Sequence, residues 1–179
     1  MKKLIAGFAF IVFAFATGII TAKPYLRTQP LTVRHYSAPV EFEQQATALG
    51  LTVHRTDFNC LDAGTTGPLA FTKGGNAITI TGDFVVELLG KTKFLVPTAN
   101  CLSDDVAPVT TTFGTAVDGV MFSHTPGATV CCRNDFSPSS EFCSPPNPDA
   151  VSTGFATEAI QSCTILFGSM SSVSFFVVP

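Results

Sequence analysis

The chain has 179 residues, enough for one ordinary domain, and a formal net charge of −3 with only 13% charged residues. It has no concentration of Lys and Arg, which excludes the electrostatic attraction on which nucleic-acid-binding proteins depend. Apolar residues make up 46% of the chain, which excludes a disordered protein. Phosphate-binding and dinucleotide-binding loops are absent from the sequence, so we expect no cofactor.

The first 22 residues have the order of a secretory signal peptide. Two lysines at positions 2 and 3 precede an apolar run, Leu4–Phe13. Ala14-Phe15-Ala16 is a small-x-small cleavage site, and a second possible cut follows Ala22, with Ile20 and Ala22 at the recognition positions. We therefore expect residues 1–22 to direct secretion, with cleavage after residue 16 or 22.

Two alternatives keep this apolar segment in the mature protein. The run Leu4–Ala22 is long enough to anchor the chain, because roughly 17–25 apolar residues span a bilayer. Cleavage after Gly7 would instead give a pilin-type filament subunit, but that pattern has a Glu near the start of the mature helix where this chain has Val12. A membrane is expected as a partner only if the segment is uncleaved.

An even number of cysteines behind a signal peptide predicts disulfides formed in an oxidising compartment. The six cysteines are Cys60, Cys101, Cys131, Cys132, Cys143 and Cys163, and they allow 15 connectivities. Adjacent residues on a strand point to opposite faces, so Cys131 and Cys132 are expected to take different partners. We predict a Cys132–Cys143 bridge, worth about 3 kcal/mol in the chain-entropy model, and two further bridges among the other four. The cysteine spacing lacks the Cys-x2-Cys knuckle of zinc sites, so no metal is expected.

The rest of the chain divides into an arm and one domain. Residues 23–40 contain three prolines and scattered charges, and they predict an extended arm with at most one short strand near Leu31–Tyr36. Residues 41–179 are predicted to form a single β-rich domain stabilised by the disulfides.

A helix is predicted at the start of this domain, over Glu41–Leu49. Gly50 follows at the position where a glycine commonly caps the C-terminus of a helix. Phe42, Ala46 and Leu49 fall on one face, which is the spacing of a helix that packs on a sheet.

The clearest strand pattern lies between Ala77 and Cys101. Ile78 and Ile80 alternate with threonines, and two further β-branched or aromatic runs, Phe84–Leu89 and Lys93–Val96, follow after Gly-containing turns. We predict an antiparallel meander here, ended by a proline at position 97.

Further strands are predicted on both sides of this meander. They are Leu51–Arg55, Leu69–Thr72, Thr110–Phe113, Val117–Ser123, Ala128–Cys132 and Phe175–Val178. Ala156–Phe167 fits either a helix or a strand. The predicted fold is therefore mainly β, as a β-sandwich or a meander sheet, with one N-terminal helix packed on it and disulfides joining its parts.

Candidate catalytic residues are few. The segment Asp62-Ala63-Gly64-Thr65-Thr66 resembles an aspartic-protease loop, although that family has Thr or Ser where this chain has Ala63. The mechanism needs two carboxylates, and a single copy of the loop would require a homodimer. His35, His54 and His124 stand far apart in sequence, and the chain has no Gly-x-Ser-x-Gly elbow. We assign no catalytic residue from the sequence.

The paired cysteines carry one further resemblance. Val130-Cys131-Cys132-Arg133, followed by Phe142-Cys143-Ser144-Pro145, is similar to the end of a fungal hydrophobin. That family has eight cysteines with two adjacent pairs, whereas this chain has six with one pair. The resemblance implies a surface-active coat protein.

The function expected from the sequence is a secreted, non-enzymatic extracellular binding or structural protein with an unknown protein or surface as partner. The alternatives are a small secreted hydrolase that uses Asp62 or a histidine, and a membrane-anchored or filament subunit that retains its N-terminal apolar helix. A cleft that brings His54 or His124 near a carboxylate and a hydroxyl would favour the hydrolase.

Overall fold

A computed structural model describes residues 32–36, 39–98, 107–134 and 141–178. These residues form one helix, α1 (Pro39–Ala48), and eleven strands joined in one antiparallel sheet. The strands are β1 (Thr32–Tyr36), β2 (His54–Asp57), β3 (Leu69–Lys73), β4 (Asn76–Thr81), β5 (Phe84–Leu89), β6 (Thr92–Pro97), β7 (Val109–His124), β8 (Thr129–Asn134), β9 (Glu141–Cys143), β10 (Ser152–Leu166) and β11 (Met170–Phe176). The mainly β fold with one helix near the N-terminus is thus confirmed. The predicted signal peptide lies outside the described residues.

Two long strands, β7 and β10, organise the sheet. They pair antiparallel along most of their length, from Ser152 opposite Ser123 to Ile165 opposite Val109. The other edge of β7 carries β4 near its start and β11 near its end. Strand β3 extends the sheet beyond β4, and β2 and β6 extend it beyond β11. The outer edge of β10 carries β1 and β8, with β9 beyond β8.

The main core is built from the alternating apolar residues of these strands. In β4 the buried side chains are Asn76, Ile78 and Ile80, and the threonines between Ile78 and Ile80 and after Ile80 are exposed. Burying an Ile or Phe side chain stabilises a fold by roughly 1.5–3 kcal/mol relative to leaving it in water. The largest fully buried side chains include six phenylalanines, namely Phe58, Phe84, Phe113, Phe122, Phe155 and Phe175. Most of the Phe side chains in the described ranges therefore lie in the interior.

Helix α1 ends at Ala48 and is capped at Gly50, the glycine that the sequence predicts as its C-terminal cap. The backbone N–H of Gly50 donates to the carbonyl of Thr47 at 2.9 Å, and the N–H of Leu51 donates to the carbonyl of Ala46 at 3.0 Å. These are the two bonds of the Schellman motif, and Gly50 has the positive φ of 74° that the motif requires. Because the helix stops at Ala48, Leu49 is exposed, and the prediction that it lies on the packed face was wrong. Leu51 is buried instead, because the turn at Gly50 sends the chain back toward the sheet.

The helix packs on the face of the sheet opposite the main core. Phe42 stacks on Phe176 with 5.6 Å between ring centroids, and both belong to a second buried cluster with Ala46 and Met121. Gly119 lies beneath the Phe176 ring, and a Cβ atom at this position would overlap that ring. The Phe176 ring fits at this position only because residue 119 has no side chain.

The predicted meander was partly wrong. Strands β5 and β6 form a hairpin, but β4 pairs with β3 and β7 and not with β5. Gly82 has a φ of 127° and approaches the carbonyl oxygen of Pro108 so closely that a Cβ would collide with it. This contact directs the chain away from β4 after Thr81, so that β5 joins another part of the sheet.

The strands β7, β10 and β11 decide three predictions for the second half of the chain. The segment that fitted either a helix or a strand belongs to the strand β10, and the C-terminal apolar run lies inside the sheet, where β11 is flanked by β7 and β2. The two strands predicted around Gly114 are one continuous strand, β7, because Gly114 continues the strand beside Ala77 and does not turn the chain.

Candidate functional site

The paired cysteines of β8 join its two neighbouring strands. Cys131 lies opposite Cys143 of β9 and is bonded to it, and Cys132 lies opposite Cys163 of β10 and is bonded to it. The two neighbours thus point to opposite faces and take different partners, as predicted. The predicted Cys132–Cys143 bridge was wrong, because the register of β8 and β9 places Phe142, not Cys143, opposite Cys132. Such bridges indicate an oxidising environment.

The other two cysteines do not form a described bridge. Cys60 is exposed and forms no bridge with a described cysteine, and Cys101 lies outside the described residues, so the third bridge stays a prediction. A group of possible metal ligands, Cys131, Glu141 and Cys143, is present, but the two sulfurs are bonded to each other and no thiolate is available to a metal.

The loop that resembles an aspartic-protease loop forms a turn beside β5. Gly64 donates its backbone N–H to the carbonyl of Val86 at 2.8 Å, and Val86 donates to the carbonyl of Thr65 at 2.8 Å. Asp62 is exposed on this turn. The loop therefore covers the outer edge of β5, which is a structural role that its Gly and Asp residues suit without catalysis.

The three histidines occupy different parts of the sheet. His124 is buried at the end of β7, with its Nε2 2.9 Å from the hydroxyl of Thr153 and its Nδ1 2.9 Å from the carbonyl oxygen of Thr125. His54 is half-buried at the start of β2, with its ring 5.4 Å from that of Phe175. His35 lies on β1 in register with Thr153. His124 thus contacts a hydroxyl, as the hydrolase hypothesis requires, but both His124 and Thr153 are buried.

A pocket of about 410 Å³ lies between β2 and β3. Within the described residues β2 pairs with β11 and β3 pairs with β4, so the sides of β2 and β3 that face away from these partners carry no further strand. Gly74, in the turn after β3, sits against the His54 ring at the start of β2, where any side chain would collide with that ring. The turn after β3 thus packs closely on the start of β2, and the pocket volume is that of a small-molecule site.

Aromatic and aliphatic side chains form most of the pocket lining. Phe58 belongs to the main core, and Leu61, Leu69 and Phe71 are partly buried and pack against that core. The floor of the pocket is therefore continuous with the hydrophobic core. An apolar molecule bound here would extend the core and remove its own surface from water.

The polar groups of the pocket differ in what they already bind. Arg55 forms an ion pair with Glu43 of α1 at 3.4 Å, and the carboxylate of Asp57 accepts the backbone N–H of Asn59 at 3.0 Å. The Thr56 hydroxyl is buried and has no hydrogen-bond partner. Lys73 is exposed at the end of β3 and forms no ion pair with the described residues.

The wall of the pocket formed by residues 58–61 is fixed to β6. Lys93 donates its backbone N–H to the Asn59 side chain at 3.0 Å, and its ammonium donates to the carbonyls of Asn59 (3.1 Å) and Leu61. One lysine therefore makes three hydrogen bonds to this loop, two of them to backbone carbonyls. A wall held in this way loses little further freedom when a ligand binds.

The pocket between β2 and β3 could not be predicted from the sequence. The alternation of Leu69 and Phe71 in the predicted strand indicated one apolar face. However, β2 and β3 lie side by side only because each pairs with another strand, β2 with β11 and β3 with β4. No local pattern in the sequence predicts these pairings. The unpaired Thr56 hydroxyl is likewise a property of the folded chain.

Comparisons with known proteins give no relative for this chain. No protein-family model matches it, and neither a curated protein nor a solved structure is similar enough to count as a match. Within the described part of the chain, no helix combines the length and apolar character that a membrane crossing needs.

Proposed function

We propose that the protein is a secreted, non-enzymatic extracellular binding or structural protein. The observation that carries this proposal is the pair of disulfides that adjacent cysteines make from β8 to β9 and to β10. Disulfides of this structural kind persist where the surroundings are oxidising and are rare in the cytosol. The signal-peptide pattern of residues 1–22 supports the same location.

The pocket between β2 and β3 favours binding over a purely structural role. It combines an apolar floor with polar and charged residues, Arg55, Asp57 and Lys73, along its lining. An apolar cavity with a few polar groups has the usual features of a small-molecule site. A protein with only a structural role has no need of such a cavity.

The hydrolase alternative has one observation in its favour, the contact between His124 and Thr153. A histidine in hydrogen-bond contact with a hydroxyl is the arrangement that activates a nucleophile. Both residues are at most 3% exposed, however, and a nucleophile must reach its substrate. The contact is better explained as a buried hydroxyl and imidazole that satisfy each other.

The proposal is tested by locating the protein in cultures of the cells that produce it and measuring its mass before and after alkylation under denaturing, non-reducing conditions. We expect it outside the cells, starting at Thr17 or Lys23, with the four cysteines of the two bridges resistant to alkylation. A chain that stays with the cells and keeps Met1, or starts at Phe8, would replace the proposal with the membrane-anchored or filament alternative. Alkylation of all six cysteines would remove the basis of the proposal.

A further inference from the structure

A regular array of hydroxyl side chains lies on the outer face of the sheet. Three adjacent strands, β4, β7 and β10, each contribute two residues that alternate with buried ones. The strand register opposes these residues directly in two rows, and none of them belongs to either buried cluster. The hydroxyl array consists of one row with Thr79, Thr112 and Ser162 and a second row with Thr81, Thr110 and Thr164.

The side chains of the hydroxyl array are open to water. The two threonines of β4 are exposed, and the four residues of the central strands β7 and β10 are half-buried. The hydroxyls of Thr110 and Thr164 lie 3.0 Å apart. A hydroxyl has one donor and two acceptor sites, so this one bond leaves both groups able to bind water.

The hydroxyl array is electrically neutral. All six of its residues are Thr or Ser. On the same face, Arg133 of β8 lies in the row of Ser162 and forms an ion pair with Glu141 of β9 at 3.3 Å. Along the described strands this face therefore has no unpaired charge that would attract an ionic ligand. Its partner should be neutral and rich in hydrogen-bonding groups.

The spacing of the hydroxyl array is fixed by the sheet. Neighbouring strands lie about 4.8 Å apart, and alternate residues of one strand lie roughly 6.7 Å apart. Strand twist displaces the outer residues of a three-stranded array by only about 1 Å. The array is thus close to a rectangular lattice. The oxygen atoms on a prism face of hexagonal ice repeat at similar distances in two perpendicular directions.

We propose that the hydroxyl array is an ice-binding surface. Water molecules bridging its hydroxyls take positions that continue into the ice lattice, and the methyl groups of its five threonines fill the spaces between them. A protein bound in this way blocks the growth of the crystal face beneath it. This inference rests on the extracellular location in the proposed function, and it concerns a surface apart from the pocket between β2 and β3.

The test is the freezing and melting temperature of a single ice crystal in a solution of the full secreted chain. We expect the crystal to stop growing below its melting temperature, so that a gap opens between the two temperatures, and to become faceted. Serum albumin at the same concentration should give no gap, because a dissolved solute lowers both temperatures equally.

Lysine substitutions test whether the hydroxyl array is the surface responsible. Thr79→Lys and Thr81→Lys each place a long charged side chain on the array and should remove most of the gap. Both positions are exposed, so the thermal midpoints should match that of the parent protein. Thr52→Lys, at an exposed threonine between α1 and β2, is the matched control and should keep the full gap.

Three results would overturn the inference: no gap in the parent protein, a full gap in both Thr79→Lys and Thr81→Lys, or an equal loss in Thr52→Lys. Binding to cellulose or chitin without a gap would also overturn it, because the face would then recognise a polysaccharide. Each result would leave the proposed function standing if the protein is exported with its bridges intact. Retention of the protein with reduced cysteines would overturn the proposed function, whatever the ice crystal does.

Discussion

Two adjacent residues of β7, Asp118 and Gly119, fix where the helix α1 and the C-terminal strand β11 lie. Gly119 makes room for the Phe176 ring, and Phe176 in turn stacks on Phe42 of α1. Asp118, next to Gly119 in β7, is buried and accepts the backbone N–H of Val178 at 2.8 Å and that of Ala159 at 3.4 Å. Two adjacent residues of one strand therefore position the end of β11 and the irregular part of β10.

Gly119→Ala should destabilise the protein by about 1–3 kcal/mol, because an added methyl group would overlap the Phe176 ring. Urea unfolding followed by circular dichroism measures this change. In a Phe176→Leu background the same glycine substitution should cost clearly less, since the smaller side chain leaves room. Equal costs in the two backgrounds would show that the two residues are not coupled.

Asp118→Ala should cost about 1–3 kcal/mol, because the buried N–H of Val178 would lose its acceptor. Asp118→Asn keeps one acceptor oxygen and should cost less than the alanine variant. Asp149→Ala, at an exposed carboxylate, is the control and should stay within about 0.5 kcal/mol of the parent protein. If Asp118→Ala unfolded at the same urea concentration as the control, the role given to this carboxylate would be wrong.

At the scale of elements, the sequence predicted correctly those features that depend on neighbouring residues, such as the bounds of a strand and the cap of the helix. Strand β5 has the bounds that its apolar run predicts, Phe84–Leu89, and α1 is capped at the predicted Gly50. The missed features depend on distant contacts. The chain turns away from β4 because Gly82 packs against Pro108, and β7 runs straight through Gly114 beside Ala77. A glycine in a sequence indicates a permissive backbone, but its tertiary contacts decide whether the chain turns there.

The cap of α1 gives a prediction at this scale. Gly50→Ala should destabilise the protein by about 1 kcal/mol, because alanine is strained at a φ of 74°. Gly50→Asn should cost less, since asparagine tolerates the left-handed region best after glycine. The measurement is the thermal midpoint of each variant by calorimetry. An alanine variant as stable as the parent would contradict the Schellman assignment.

At the scale of the whole molecule, the two disulfides connect strands that are separated in sequence. One closes a separation of 12 residues between β8 and β9, and the other closes 31 residues between β8 and β10. The sequence analysis predicted that the adjacent cysteines would separate, because strand geometry requires it. It could not select their partners, because these follow from the register of strands far apart in the chain. The pocket between β2 and β3 could not be predicted for the same reason.

The two bridges should contribute unequally to stability. The chain-entropy model gives about 3 kcal/mol for the 12-residue separation and about 4 kcal/mol for the 31-residue separation. Cys132→Ala with Cys163→Ala should also leave a small gap in the core, since both residues are fully buried. Urea unfolding should therefore show a larger loss for this double variant than for Cys131→Ala with Cys143→Ala. A larger loss for the second pair would contradict the account.

The most direct test of the account is disulfide mapping of the exported protein by mass spectrometry, without reduction and with fragmentation between the adjacent cysteines. It addresses both the strand register and the oxidising compartment on which the proposed function depends. The account predicts linked peptides for Cys131–Cys143 and Cys132–Cys163. Linkage of Cys132 to Cys143 would contradict the register of β8 and β9, and free thiols at these four positions would contradict a disulfide-stabilised extracellular protein.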